Sequence, residues 1–341
     1  MVGSKSKCNC EVNFHRSFYK SSFGNTVSYQ YCDSNDSKNK KPNVILIHGV
    51  AFDSSYWKCL MKELCPYANV YAPDLPGTGQ TTLPANPESF RLSDLVLGLR
   101  EFIEHLELKS VYLVGHGLGA VISLEYSVEY PSSVVKIISA SANPQWFPNQ
   151  ETDWSCIIHP ELLQLLGMVG QPDVDKLKLC TDINNIIDPI TCPEQKYLVD
   201  HYMKLGEQFM TYQIITQTTN IRPHVADISV PTLILSGQLE PIAPICATQF
   251  LDENIKNATV FVFPNQGHNY PLFNTKLFNK HVMSWIFDDF EPPKPDIIPI
   301  ECDEHKSDDK HEKDTCFTIC RERRYIKPRY TGGSKECNYG C

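Results

Sequence analysis

Residues Val111 to Ala120 read Val-Tyr-Leu-Val-Gly-His-Gly-Leu-Gly-Ala. A short apolar run gives way to three glycines at alternate positions, and apolar residues then resume. A chain reverses this sharply from strand to helix only where its backbone can take positive φ or approach neighbouring backbone closely. Glycine permits both. Gly117 stands at the apex of the reversal, so a strand–tight turn–helix unit is fixed here. The rest of the chain must be compatible with it.

Other segments extend the pattern. Asn43-Val44-Ile45-Leu46-Ile47-His48-Gly49 is a continuous apolar run closed by glycine, the signature of a strand buried on both faces. Ala68–Ala72 is a second such strand, ending at Asp74-Leu75-Pro76-Gly77. Val111–Val114, Val134–Ile138, Thr232–Leu235 and Thr259–Phe263 continue the series. Between them, Leu92, Leu95, Val96, Leu99, Phe102, Ile103 and Leu106 fall on one helical face, as do Leu277, Phe278, Val282, Trp285 and Ile286. Strand and helix in alternation predict an α/β fold, a mostly parallel central sheet with helices on both faces. Two earlier strands, near Phe14–Tyr19 and Thr26–Tyr31, flank a turn at Phe23-Gly24-Asn25.

The alternation breaks between Ala142 and Arg222, where only helical patterns occur. That predicts a core of residues 14–141 and 223–290 interrupted by a helical cap, 142–222. Aromatic residues in the cap (Trp146, Phe147, Trp154, Tyr202) are candidates for lining a pocket, or simply for the cap's own core. After Phe290 come four prolines and a run of mixed charge, a linker over 291–315. A basic, cysteine-rich tail occupies 316–341. Its Cys316-x₃-Cys320 and Cys337-x₃-Cys341 pairs suit a disulfide hairpin in oxidising surroundings or a structural zinc in reducing ones.

The 341 residues carry a formal charge of −9, which gives no support to nucleic-acid binding. No apolar run approaches the roughly 20 residues of a transmembrane helix. Met1 to Lys20 lacks the apolar stretch of a signal peptide, which points to the cytoplasm, whereas fourteen cysteines point to an extracellular protein if they are paired. Cys8, Cys10 and Cys32 near the start are open to pairing or metal binding, but no histidines flank them and no metal site is assigned. No nucleotide or other cofactor motif is present, so no cofactor is expected.

Four landmarks then stand in register: His48-Gly49-Val50 after one strand, Asp74-Leu75-Pro76-Gly77-Thr78-Gly79 after the next, Gly115 to Gly119, and a pair of loops. The pair is Gly237-Gln238-Leu239-Glu240-Pro241 and Gln266-Gly267-His268. In this order they resemble the α/β-hydrolase superfamily, in particular its lid-bearing esterases, lipases and aminopeptidases. The resemblance implies a general base at His268, a carboxylate partner at Glu240, and an oxyanion hole from the backbone N–H groups of Val50 and Leu118. It also implies a serine at the apex of the G-x-S-x-G elbow, where this chain has Gly117.

Without that serine the expected protein is a degenerate hydrolase. It would bind a small apolar or ester-like ligand, or a protein partner. The alternative is an active hydrolase or lyase in which His268 and Glu240 act as general base without an acyl-enzyme.

Overall fold

The computed structural model describes residues 14–32, 41–146, 208–238, 240, 242–264 and 266–288, together with the pairs 297–298 and 325–326. Eight strands form one sheet: β1 (His15–Lys20), β2 (Thr26–Cys32), β3 (Asn43–Ile47), β4 (Asn69–Pro73), β5 (Val111–His116), β6 (Val134–Ala140), β7 (Thr232–Gly237) and β8 (Ala258–Phe263). Their order is β1-β2-β4-β3-β5-β6-β7-β8. The β1–β2 and β2–β4 pairs are antiparallel and every other neighbour pair is parallel. This is the α/β-hydrolase fold, with the mostly parallel sheet that strand–helix alternation predicts.

The order explains where a site can form. From β3 the chain crosses to β4 on one side, then returns over β3 to β5 on the other. β3 and β5 are therefore neighbours whose outgoing connections diverge, and a crevice opens beyond their carboxyl ends. Helix α1 (Lys58–Leu64) packs with the last helix of the sheet layer, Thr275–Ile286, whereas α2 (Leu92–His105) packs with α3 (Leu118–Glu129). Right-handed crossovers put these two helix pairs on opposite faces of the sheet. Val44, Ile45 and Leu46 in β3 and Leu113 and Val114 in β5 are buried completely, each worth about 1.5–3 kcal/mol.

Strand limits differ from those the sequence predicts chiefly at carboxyl ends. β6 runs on through Ser139 and Ala140, and β7 through Ser236 and Gly237. All four residues are buried, but they are small, so hydrophobic patterning does not mark them. At the start of α2 the Asp94 carboxylate accepts from the Arg91 N–H at 2.8 Å, satisfying an amide that the helix leaves free.

Only the ends of the expected cap are described. Gln145 and Asn220 form an antiparallel bridge, so the chain after β6 and the chain returning toward β7 meet there. On the return, α4 (Gln208–Thr218) is tied to the loop after β4 by the Tyr212 hydroxyl, which donates to the Pro76 carbonyl at 2.9 Å. Trp146 is buried; Phe147, Trp154 and Tyr202 lie outside the described residues. Three further helices follow: α5 (Ile245–Asn254), α6 (Tyr270–Phe273) and α7 (Thr275–Ile286). No helix among the described residues is long and apolar enough to cross a membrane.

The chain divides into two compact units, Met1–Asp289 and Phe290–Cys341. Of the second unit only an antiparallel pairing of Ile297–Ile298 with Tyr325–Ile326 is described. The tail cysteines, and with them the choice between disulfide hairpin and zinc, lie outside the described residues.

Cys32 is disulfide-bonded to Cys65, with the Cα atoms 5.9 Å apart. The partner is not Cys8 or Cys10, which also lie outside the described residues. The reason is register: Cys32 sits opposite Val70 in β4, and Cys65 caps the helix that leads into that strand. Cys59 and Cys246 are disulfide-bonded as well, so every described cysteine is oxidised. The Cys32–Cys65 bridge closes 33 residues of chain, so the C32S/C65S double variant should lose about 3–4 kcal/mol of unfolding free energy. Urea denaturation of both proteins under non-reducing conditions measures this.

Candidate active site

The elbow is held by backbone contact. A Cβ on Gly119 would overlap the carbonyl oxygens of Ile47 and His48, and one on Gly115 would overlap the Gly119 carbonyl. Glycine at these two positions lets α3 press its first turn against the end of β3. Gly117 is different. Its φ is 54° and ψ −118°, a conformation that residues with side chains rarely adopt, but the space around it is open. A Cβ there would lie 3.5 Å from His268 Nε2, 3.7 Å from His268 Cε1 and 3.8 Å from the Gly49 Cα, all ordinary contacts.

His268 is delivered by the loop after β8. Its Nδ1 lies 2.8 Å from Glu240 Oε1 and 3.0 Å from Oε2, so the hydrogen-bond network assigns the proton to Nδ1. That leaves the Nε2 lone pair facing the apex of the elbow. The Glu240 side chain is fully buried and its oxygens are saturated. Oε1 accepts from the Ile242 and Ala243 amides at 2.9 and 3.1 Å, and Oε2 accepts from the Ser141 hydroxyl at 2.6 Å. A buried carboxylate is tolerated only when its lone pairs are occupied in this way. Ser141 itself is held at φ 52°, off the end of β6. Such strain in a non-glycine residue aims the hydroxyl at the carboxylate.

Two more buried histidines brace the loops. His48 donates from Nδ1 to the Gly49 carbonyl at 2.7 Å and accepts at Nε2 from the Leu75 amide at 3.0 Å. The loop after β3 is thereby locked to the loop after β4. His116 donates from Nε2 to the His268 carbonyl at 3.0 Å, stacks on Tyr56, and has a buried Nδ1 with no hydrogen-bond partner among the described residues. Burial lowers the pKa of both rings, that of His116 strongly, with the nearby His268 adding to the effect. Both are neutral spacers with fixed tautomers.

Asp74 does the same for the loop after β4. Its buried carboxylate accepts from the Ser54 amide at 2.7 Å, the Gln80 amide at 3.1 Å and Arg16 Nη1 at 2.7 Å. Burial by itself would raise its pKa, but the hydrogen bonds from Ser54 and Gln80 outweigh it and hold the group below the usual carboxylate range.

The structure thus brings Gly117, His268 and Glu240 together at the crevice beyond β3 and β5. Val50 follows Gly49 at its rim, and Leu118 opens α3. As a helix's first residue, Leu118 has an N–H without an intrahelical partner, at the end where negative charge is favoured. No hydrogen bond engages the Val50 or Leu118 amide among the described residues. Patterning alone did not single out Ser141, His116 or the Arg16–Asp74 pair. Each is an ordinary residue whose partner is distant in sequence. Among the described residues no group of three or more His, Cys, Asp or Glu side chains is arranged to hold a metal ion.

Comparison with known proteins agrees with this architecture. The profile of the alpha/beta hydrolase fold family matches residues 42–275. The chain belongs to that family. It is 25% identical over 241 residues to the pimeloyl-[acyl-carrier protein] methyl ester esterase of Legionella pneumophila (strain Corby), covering 69% of this chain and 91% of the relative. The corresponding esterase of Vibrio campbellii is 24% identical over 244 residues, covering 67% and 87%. Among solved structures, an esterase from Exiguobacterium antarcticum superposes with a TM-score of 0.65 at 19% identity, covering 80% of this chain and 99% of that one. At that identity the likeness concerns the fold.

Asp74 generates a prediction about acid stability. A carboxyl whose pKa is depressed on folding contributes stability that is complete above its unfolded value, near 3.8, and is lost as the pH falls through the folded value. The Asp74→Asn variant should lose about 2–4 kcal/mol at pH 7. It should also show a flatter loss of stability below pH 4 than the parent. Denaturation at a series of pH values from 3 to 7 reads both effects.

Proposed function

We propose that this protein is an α/β-hydrolase-fold protein in which the serine acyl-transfer route has been lost. On this reading it binds a small apolar or ester-like molecule in the crevice beyond β3 and β5 and forms no covalent intermediate. The observation that carries the reading is Gly117, whose absent Cβ would sit 3.5 Å from His268 Nε2. A serine hydroxyl there would come within hydrogen-bond reach of the imidazole. Glycine has no atom to attack a carbonyl. Loss of such a nucleophile costs roughly 10⁶ in turnover, about 8 kcal/mol of barrier. Glycine also adopts φ 54° without the strain that serine would carry, so the replacement exchanges chemistry for stability.

A specific observation favours a second reading, in which the dyad still works. Glu240 has its oxygens fully hydrogen-bonded and fixes His268 with Nε2 facing the open apex. A water held at that apex could give its proton to Nε2 while its oxygen adds to a bound ester carbonyl. The amides of Val50 and Leu118 would donate to the oxyanion. Collapse would expel the alcohol, which takes the proton back from the imidazolium. Direct hydrolysis of this kind supplies roughly a 10³-fold advantage over water. The curated relatives that act on a methyl ester make ester-like molecules the first ligands to try.

Restoring the hydroxyl tests the primary reading. The Gly117→Ser variant should hydrolyse p-nitrophenyl butyrate about 10³-fold or more faster than the parent, and adding His268→Ala should return it to the parent's rate. A parent that already turns over at ordinary esterase rates would refute the reading. The second reading has its own measure: His268→Ala in the parent should abolish a small saturable ester hydrolysis, and should leave the rate unchanged if the dyad is inert.

A further inference from the structure

The sequence holds two Asn-x-Ser/Thr triplets, Asn35-Asp36-Ser37 and Asn257-Ala258-Thr259. Such triplets arise often by chance, so placement and surroundings decide whether one can carry a sugar. The first lies outside the described residues. The second begins in the turn between α5 and β8, and its middle residue is not proline, as an acceptor triplet requires. Asn257 is exposed there, as are Asn254 and Lys256 beside it. Its Nδ2 donates to the carbonyl of exposed Ser229 at 3.0 Å. A substituted amide nitrogen keeps one N–H, so attachment leaves a donor for that bond.

The fold puts Asn257 away from the crevice. Strand β8 runs parallel to β7, and through β6 and β5 to β3. Asn257 precedes its first residue and so stands at the amino end of the sheet. The crevice lies beyond the carboxyl ends, about 20 Å away along a six-residue strand. A bulky group on Asn257 leaves the crevice open.

The cysteines supply an independent observation. Sugar transfer to asparagine and disulfide formation belong to the same oxidising secretory lumen. Cys32, Cys59, Cys65 and Cys246, the described cysteines, are all in disulfides.

The sheet edge supplies another. Strand β8 ends the sheet, and its sequence, Ala-Thr-Val-Phe-Val-Phe, has no charge, proline or glycine. The Asn257 and Phe263 carbonyls accept from Thr232 and Gln238 on the β7 side. Alternation then turns the N–H and C=O groups of Val260 and Val262 outward, and no hydrogen bond engages them among the described residues. An apolar edge of this kind invites pairing with a second chain. The opposite edge, β1, carries Arg16 and Lys20.

We propose that Asn257 is an N-glycosylation site whose glycan hinders pairing along the open edge of β8. The donor is a lipid-linked oligosaccharide diphosphate. A bond forms from Asn257 Nδ2 to the anomeric carbon while the bond from that carbon to the diphosphate oxygen breaks. The lipid diphosphate leaves with the electron pair, and one amide proton passes to a base of the transferase. Nothing is oxidised or reduced. The product is a bulky, hydrophilic group rooted one residue before the strand.

The test reads residue 257 in the full chain isolated from its own cells. Peptide N-glycosidase in heavy-oxygen water should leave a labelled aspartate at that position in the peptide map. Secreted from a eukaryotic cell, the Thr259→Ser variant should match the parent's mass of sugar, whereas Asn257→Gln and Thr259→Ala should each be lighter by one glycan. Retention in Thr259→Ser separates the acceptor triplet from a folding role of the threonine. In gel filtration the enzymatically deglycosylated protein should shift to dimers or larger species. A deglycosylated protein that stays monomeric would overturn the hindering role. An unlabelled Asn257 in the isolated chain, or an Asn257→Gln protein as rich in sugar as the parent, would overturn the site.

Discussion

The first turn of α3 lies against the end of β3 so closely that Gly119 has no room for a side chain beside the Ile47 and His48 carbonyls. Everything at the crevice follows from that contact. It sets Gly117 at the apex of the turn, aims the opening amides of α3 outward, and brings the Gly49 loop within van der Waals range of the apex. Because β3 and β5 are parallel neighbours with diverging connections, no other part of the sheet offers the same opening. A bulkier residue at Gly119 would separate the strand from the helix and dissolve the geometry without touching His268.

Around this contact the loops are fixed by buried polar groups. His48, Asp74, Ser141 and His116 each join one loop to another through hydrogen bonds of 2.6–3.0 Å. Burial makes such bonds expensive to lose, which is why they hold a constellation in place. The result is a carboxylate–imidazole pair whose free nitrogen faces a position with no side chain. On the proposed reading these surroundings are those of an acyl-transfer site from which Gly117 departs.

The sheet was legible because strands buried on both faces must be apolar throughout, as Val44–Ile47 and Val111–Val114 are. The elbow was legible because only glycine survives where backbones touch. His268 and Glu240 could be named only through resemblance to a family, since neither residue type nor spacing within a loop marks a catalytic pair. The supporting partners were not legible at all. Nothing local says that Cys32 finds Cys65, that Arg16 reaches Asp74 across 58 residues, or that Ser141 bends to meet Glu240. Those pairings depend on strand order, which the chain settles only when it folds.

The account rests on the absence of an attacking atom at residue 117 in surroundings otherwise fit for one. Intact-mass spectrometry after exposure to a fluorophosphonate measures this directly. The parent should remain unmodified, and the Gly117→Ser protein should gain one phosphonyl group mapped to residue 117. A stoichiometric adduct on the parent, or a folded Gly117→Ser protein that stays unlabelled, would contradict it.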